Sequence, residues 1–183
     1  MIEIRDLNTL TLDELTRVAS GYTSTQEYDV RHSDTETLIN FELRLVPLRE
    51  PYIKKYSFDE GTIRQYEPLL GNELSFGAYD GDVLIGLIIA EERRWNESVW
   101  VHEFHVAESY RLQGIGRRLM HRSCHIAKHR GLHIAACETQ NKNVLAIFAY
   151  RKLGFHVAGV DLCLYGNSAP GDEIAIFMKR PLV

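Results

Sequence analysis

The sequence predicts a single α/β (α+β) domain, residues 1–183, with a mixed, mostly antiparallel sheet flanked by helices. Two apolar runs, residues 74–79 and 83–91, are joined by Asp80-Gly81-Asp82, which is a strong hairpin signal. After residue 106 the apolar residues recur at helical spacing, and the order becomes β-α-β-α-β. The length of 183 residues suits one hydrophobic core.

The first half of the chain reads mainly as strands. Residues 2–5 and 38–46 alternate in part between apolar and polar side chains, and each predicts a strand. Thr11 and Glu14 have the spacing of a capping box, which predicts a helix starting there. Residues 20–36 are polar and give no clear prediction, whereas residues 98–106 predict the strand that pairs next to the hairpin.

The second half of the chain predicts two helices that alternate with strands. Residues 114–130 form an amphipathic pattern with Gly131 as a natural stop, and residues 143–153 form a second helical pattern ended by Gly154. Strands are predicted at residues 132–137, 155–165 and 173–178. The apolar side of the first helix comprises Ile115, Leu119, Met120, Ile126 and Ala127, and the polar side comprises Arg118, His121, Arg122, His125 and His129.

The bulk composition excludes several classes of protein. The net charge of −4 argues against a nucleic-acid binder, and no apolar run is long enough to span a bilayer. The first residues lack the pattern of a secretory signal. The three cysteines are not closely spaced, which argues against a disulfide framework and against a zinc site. We therefore expect a cytoplasmic protein. Residues 1–100 carry 19 acidic and 10 basic side chains, and residues 101–183 carry 6 and 11, so the second half would attract an anion.

A glycine-rich segment opens the helix at residue 114. Arg111-Leu112-Gln113-Gly114-Ile115-Gly116 would let a diphosphate approach the unpaired amides of the helix start, with Arg117 and Arg118 adding positive charge. The pattern GxxxxGK[ST] of a Walker loop is absent. A dinucleotide-binding loop would need a third glycine where Leu119 stands, although Glu138 sits where a ribose-binding acid would be.

A second motif supports a coenzyme A loop. Asn143-x-x-Ala146-x-x-x-Tyr150-x-x-x-Gly154-Phe155 follows at a suitable distance, and together the two motifs resemble the GNAT superfamily of N-acetyltransferases. The resemblance implies a sheet that splays open between its central parallel strands, with acetyl-CoA in the opening and no metal. It implies that the coenzyme is bound by the following residues: Phe104, His105, Val106, Arg111, Gln113, Gly114, Ile115, Gly116, Arg117 and Asn143.

Within that superfamily the chain resembles the streptothricin acetyltransferases. The resemblance rests on Trp95-Asn96, Glu138-Thr139-Gln140-x-x-Asn143, Asp161-x-x-Leu164-Tyr165-x-Asn167 and Pro51-Tyr52-x-Lys54. It implies antibiotic resistance by acetylation of a small cationic amine. The chain departs from those enzymes in parts of residues 20–40 and 60–73, which help to form the acceptor site.

The reaction requires an acid and a base. At pH 7 only about 10^−3.4 of a lysine-type amine is neutral, so deprotonation costs about 4–5 kcal/mol unless a base assists. The resemblance places the hydroxyl of Tyr150 by the coenzyme sulfur, as the acid. Glu103 is the leading candidate base, and Glu138 is either a rival base or the group that binds the substrate ammonium. His105, on the same strand face as Glu103, is a base, orients Glu103 or is simply structural. No cysteine is placed as a nucleophile, so we expect direct transfer in a ternary complex.

Several alternatives stay open at this point. Acetylation of a protein N-terminus or lysine, a non-catalytic acyl-CoA sensor and a nicotinamide-type oxidoreductase are the rival functions, and a homodimer is also open. Metal binding is disfavoured because His102 and His105 should point to opposite faces of one strand, and because His121, His125 and His129 lie on a solvated helix face. Some of four acidic residues are expected to contact the cationic acceptor: Glu42, Asp59, Glu60 and Asp80.

Overall fold

The computed structural model describes residues 1–166 and 173–182. The strands in chain order are β1 (Ile2–Asp6), β2 (Tyr22–Asp34), β3 (Ile39–Lys54), β4 (Phe76–Asp80), β5 (Val83–Arg93), β6 (Ser98–Val106), β7 (Ile134–Gln140), β8 (His156–Asp161) and β9 (Ala175–Pro181). The helices are α1 (Leu12–Val18), α2 (Glu60–Tyr66), α3 (Ile115–His129) and α4 (Val144–Lys152). The mixed, mostly antiparallel α/β class predicted from the sequence is therefore confirmed.

The chain divides into two compact units. The first contains residues 1–21, 55–137 and 180–182, and the second contains residues 22–54 and 138–179. The prediction of one domain over residues 1–183 stays a prediction. Within the part of the chain described, no helix is long and apolar enough to cross a bilayer.

The sheet of the first unit is built around the predicted hairpin. Strands β1, β4, β5 and β6 are antiparallel neighbours in that order, and β7 joins β6 in parallel. Asp80 and Val83 form the last hairpin pair, on either side of Gly81, which has a φ of 62°. An Asp-Gly turn favours this arrangement because glycine adopts a positive φ without strain.

The parallel pairing of β6 with β7 is short. It runs from Ser98 opposite Ile134 to Val101 opposite Cys137. Strand β6 continues to Val106 and β7 to Gln140. The parallel pair expected at the centre of the sheet is therefore present, and the splay between its strands stays a prediction.

Apolar residues from both sides of β5 form the core of the first unit. One cluster packs α1 and α2 against β5: Leu7, Leu10, Leu15, Val18, Ala19, Ile63, Leu84, Leu87 and Ile89. Helix α3 contributes Ile115, Leu119, Met120 and Ala127, all buried, whereas Ile126 is half-buried. The amphipathic pattern predicted for α3 is therefore confirmed, and the helix begins after Gly114, which has a φ of 80°.

The second unit contains a two-stranded ribbon, a helix and an antiparallel strand pair. Strands β2 and β3 pair antiparallel from Tyr22 opposite Lys54 to Asp34 opposite Ile39, and β8 pairs with β9. The sequence missed β2 and the second half of β3. The polar composition of β2 and the two prolines of β3, Pro47 and Pro51, do not follow a strand pattern. In the structure β2 and β3 pair with each other as a two-stranded sheet, in which an edge position tolerates proline.

Candidate active site

The segment between β6 and α3 has the geometry expected of an anion-binding loop. A short turn at Glu108–Tyr110 is followed by Leu112, which has a φ of 62° and is fully exposed, and then by Gly114 in the left-handed region. Gly114 begins α3 without a side-chain cap, so the first amides of the helix have no side-chain acceptor there. Unpaired amides at the positive end of a helix dipole suit a phosphate group.

The glycine at position 116 allows α3 to lie directly on β6. A Cβ atom placed on Gly116 would be 3.0 Å from Cζ of Phe104, closer than side chains normally approach. A larger residue would therefore require either the Phe104 ring or the start of the helix to shift. The sequence motif is thus explained by packing as well as by access to the loop amides.

Two predicted coenzyme ligands also hold the loop together. Arg111 donates from Nε to the carbonyl oxygen of Val106 at 3.1 Å and from Nη2 to that of Gly21 at 3.3 Å. Gln113 donates from Nε2 to the carbonyl oxygen of Ser109 at 3.3 Å. Their side chains fix the loop, and the Arg111 amide also donates to the Glu108 carbonyl oxygen at 3.2 Å.

Glu103 is held by two side chains of the first unit, Tyr66 and His105. Its Oε1 accepts a hydrogen bond from the Tyr66 hydroxyl at 2.6 Å, and its Oε2 lies 2.5 Å from Nε2 of His105. The side chains of Glu103 and His105 are only 15% and 18% exposed. Burial, followed by the charge and the hydrogen bond of Glu103, raises the pKa of Tyr66 above its usual range, so its hydroxyl remains a donor.

The sequence placed Glu103 and His105 on one face of a strand, with the orientation of Glu103 by His105 as one of three alternatives, but missed Tyr66. Tyr66 lies on α2, whose start is fixed by Asp59 accepting from the Thr62 amide at 2.8 Å. The Asp59-x-x-Thr62 spacing is a capping signal that could have revealed the helix. Asp59, expected to contact the acceptor, therefore serves as a helix cap.

Strand β6 is irregular at His102, so regular alternation cannot be used to place His102 and His105 on opposite faces. A bulge pairs Ile89 with Glu103 and Ala90 with Val101, which leaves His102 as an extra residue in β6 and interrupts the alternation of faces. The ring of Tyr66 lies 6.2 Å from that of His102, and His102 Nε2 is 3.0 Å from Glu91. In the described part of the chain, no group of three metal-ligating side chains is present.

The second unit presents Asn143 and Tyr150 on α4. Asn143 begins the helix, and its Oδ1 accepts from the Ala146 amide at 3.2 Å. Both side chains are buried, and the Tyr150 ring packs against Phe155 with centroids 5.4 Å apart. Their shared burial agrees with the predicted common helix face, and their roles stay predictions.

Glu138 lies in a second carboxylate cluster. It accepts a hydrogen bond from the Tyr165 hydroxyl, which in turn accepts from Gln140 Nε2 at 2.9 Å. Burial and the charge of Glu173 raise the pKa of Glu138, and the bond from Tyr165 offsets part of this. Burial also raises the pKa of Tyr165, together with the hydrogen bond and charge of Glu138.

Glu173 was not singled out from the sequence. It accepts from Tyr52 at 3.0 Å and from Lys54 Nζ at 2.6 Å, so two positions of the Pro51-Tyr52-x-Lys54 motif bind one carboxylate. Asn167 of the other quoted motif lies outside the described residues. Glu173 is therefore already paired with a cation, whereas the hydrogen-bond donor to Glu138 is the Tyr165 hydroxyl.

The remaining predicted residues are accounted for as follows. Glu42 pairs with Arg44 at 2.6 Å, and Asp80 accepts from the Tyr110 hydroxyl at 3.1 Å. Cys124 and Cys137 are buried, and burial raises the pKa of Cys124 to about 11, which disfavours a reactive thiolate.

Comparisons with known proteins agree with this geometry. Residues 40–155 match the family described as the Acetyltransferase (GNAT) family. The streptothricin acetyltransferase of Streptomyces lavendulae is 34% identical over 147 residues, which make up 77% of this chain and 76% of that protein. The crystal structure of nourseothricin acetyltransferase superposes with a TM-score of 0.77 at 28% identity, covering 100% of this chain and 99% of that one. A structure from Bacillus anthracis str. Ames, solved in complex with acetyl coenzyme A, has a TM-score of 0.76 at 24% identity, covering 99% and 98% of the two chains.

Proposed function

Because the chain belongs to the GNAT acetyltransferase family and is an acetyl-CoA-dependent N-acetyltransferase, we propose that it acetylates a primary amine of a streptothricin-type antibiotic. The observation that carries this proposal is the 34% identity to a streptothricin acetyltransferase over 77% of the chain. The family membership decides against the nicotinamide oxidoreductase and the non-catalytic sensor. Acetylation of a protein amine remains the alternative to be tested.

We place the coenzyme diphosphate on the amides of residues 113–117. The uncapped start of α3, the left-handed Gly114 and the small Gly116 support this placement, since they leave the amides accessible. Arg117 adds positive charge on the exposed side of the same turn. The backbone of Phe104, His105 and Val106 is proposed to pair with the pantetheine arm, and Asn143 to contact it.

We propose that Glu103 accepts the proton of the attacking amine, directly or through water. The hydrogen bonds from Tyr66 and His105 support this role because they hold the carboxylate in one orientation. Tyr150 is proposed to donate a proton or hydrogen bond to the leaving thiolate. The amine then attacks the thioester carbonyl directly, without an acyl-enzyme.

Glu138 is proposed to bind an ammonium group of the acceptor. Its burial supports this role, because a nearby positive charge would stabilise the ionised form of a carboxylate that has lost contact with water. Its raised pKa would also suit a base, so Glu138 remains the rival of Glu103.

Mass spectrometry of acetyl transfer tests the function. We expect the full chain with acetyl-CoA to add one acetyl group to streptothricin, and to leave peptide N-termini and lysine side chains unmodified. Acetylated peptides without acetylated antibiotic would establish the alternative function instead.

Two matched variants distinguish the roles proposed for Glu103 and Glu138. We expect Glu103→Gln to lower kcat by about 100-fold or more, as for loss of a general base, and Glu138→Gln to raise mainly the KM of the antibiotic. The KM of acetyl-CoA should be unchanged in both variants. The reverse pattern would make Glu138 the base.

A further inference from the structure

The ribbon of β2 and β3 has one bound edge and one open edge. On the outer edge of β2, the Tyr28 amide donates to the Asn141 carbonyl oxygen at 3.0 Å, and Asn141 Nδ2 donates to the Tyr28 carbonyl oxygen at 3.0 Å. Strand β3 pairs only with β2 among the residues described. An isolated two-stranded ribbon is marginally stable, and an open edge is a template for another strand.

The ribbon also exposes an apolar face. Ile39, Phe41, Leu43 and Leu45 alternate along β3, so they share one face. Ile39 is 62% exposed, Phe41 43% and Leu45 37%, and the His32 ring stacks on Phe41 with centroids 4.5 Å apart. A row of exposed apolar side chains beside an open edge indicates an interaction surface.

The sequence of β3 is complementary to itself around Leu43. When two copies of the strand are antiparallel and centred on this residue, Glu42 of each copy faces Arg44 of the other, and Phe41 faces Leu45. Within one chain Glu42 and Arg44 pair with each other at 2.6 Å, and because they are 44% and 62% exposed each can exchange this partner for the facing residue of a second copy. Opposite charges and apolar pairs in facing positions stabilise an antiparallel sheet.

We propose that β3 pairs with β3 of a second copy across a two-fold axis at Leu43, forming a four-stranded sheet between two chains. A two-fold interface requires a surface that matches itself, and residues 40–46 do so in charge and in apolar character. An unrelated partner would place no such requirement on the strand. The occupant of the open edge is therefore a second copy of this chain.

Pro47 limits the proposed seam. In this register Asn40 faces Val46, and the next position, Pro47, has no amide hydrogen to donate. Pairing would end at Pro47 on both sides of the axis. The contact is therefore short and closed, which gives a dimer and not a fibre.

Light scattering after size exclusion tests the oligomeric state of the full chain. We expect a mass twice the 21.0 kDa of one chain. Leu43→Lys should give the single-chain mass, because it places two like charges on the axis. Ile53→Lys is the matched control, since Ile53 is 64% exposed on the same strand but outside the seam, and it should remain dimeric.

Cysteine cross-linking tests the register in case Leu43→Lys disturbs the ribbon. In a Cys163→Ser background, Leu43→Cys should form a disulfide-linked dimer, because facing residues of antiparallel strands have Cα atoms about 4.5–5.5 Å apart. Ile53→Cys should not. A wild-type protein that is monomeric at every concentration, a dimer unaffected by Leu43→Lys, or cross-linking at position 53 alone would each overturn the proposal.

Discussion

At the scale of single residues, Tyr66 connects helix α2 to the proposed base. Its hydroxyl donates to Glu103 at 2.6 Å, and hydrogen bonds to charged groups contribute about 1.5–3 kcal/mol. We expect Tyr66→Phe to lower kcat by about 10-fold and to leave the KM of acetyl-CoA unchanged, because only the orientation of the carboxylate is lost.

The control for this prediction is Tyr110→Phe. It also removes a hydroxyl that donates to a carboxylate, here that of the exposed Asp80. Steady-state kinetics should show no change in kcat for Tyr110→Phe. Equal losses in the two variants would mean that Tyr66 has no particular role toward Glu103.

Glu138 makes the stability of the protein depend on pH. Because its pKa is raised in the folded state, the unfolded chain loses this proton first, near the reference pKa of about 4.3. Stability is therefore lost as the pH rises from there through the raised pKa. We expect Glu138→Gln to have a higher melting temperature than wild type at neutral pH. This difference should disappear as the pH falls to the reference pKa of glutamate.

Thermal unfolding over a pH series measures this difference. Glu36→Gln, at an exposed glutamate in the turn of the ribbon, is the control and should follow wild type at every pH. A difference for Glu138→Gln that does not vary with pH would contradict the raised pKa.

At the scale of secondary structure, Gly116 sets the contact between α3 and β6. We expect Gly116→Val to destabilise the fold by about 1–3 kcal/mol, since the added atoms meet the Phe104 ring, and to weaken the stabilisation by coenzyme A. Thermal shifts with and without coenzyme A check both effects. Gly159→Ala is the control, because its Cβ would lie an ordinary 3.8 Å from Phe177.

The cap of α2 should matter for activity as well as stability. Asp59→Ala removes the acceptor for the Thr62 amide and should lower the free energy of unfolding. Because α2 carries Tyr66, kcat should fall too, whereas Asp59→Asn should retain both properties. Chemical denaturation and kinetics on the same samples would reveal whether Asp59 instead affects the KM of the acceptor, as the sequence had suggested.

At the scale of the whole molecule, the sequence predicted the elements whose residues follow a strict period. The hairpin around Gly81, the strand Ser98–Val106 and the helix after Gly114 lie where their patterns indicated, because each buries a regular set of side chains. Helix α2 was missed because Thr62 stands at the position where a capping box usually has Glu or Gln, whereas α1, of the same length, has Glu14 there. The ribbon was missed because its polar face and its prolines resemble a loop.

The candidate site was predictable only in part, for a similar reason. Arg111 and Gly114 lie in one short motif, and Glu103 and His105 are two residues apart, so local spacing reveals them. The contacts of Tyr66 with Glu103 and of Glu173 with Lys54 join residues that are 37 and 119 positions apart. Such contacts depend on the folded topology, which no local pattern encodes.

Cys163 offers a practical consequence of how the thiols are distributed. It is exposed, whereas Cys124 and Cys137 are buried, so a maleimide dye should label the native protein at this one position. The attachment point is two residues from Tyr165, which donates to Glu138. A fluorophore there would report titrations of the antibiotic without a coupled assay, and it would do so in the absence of turnover.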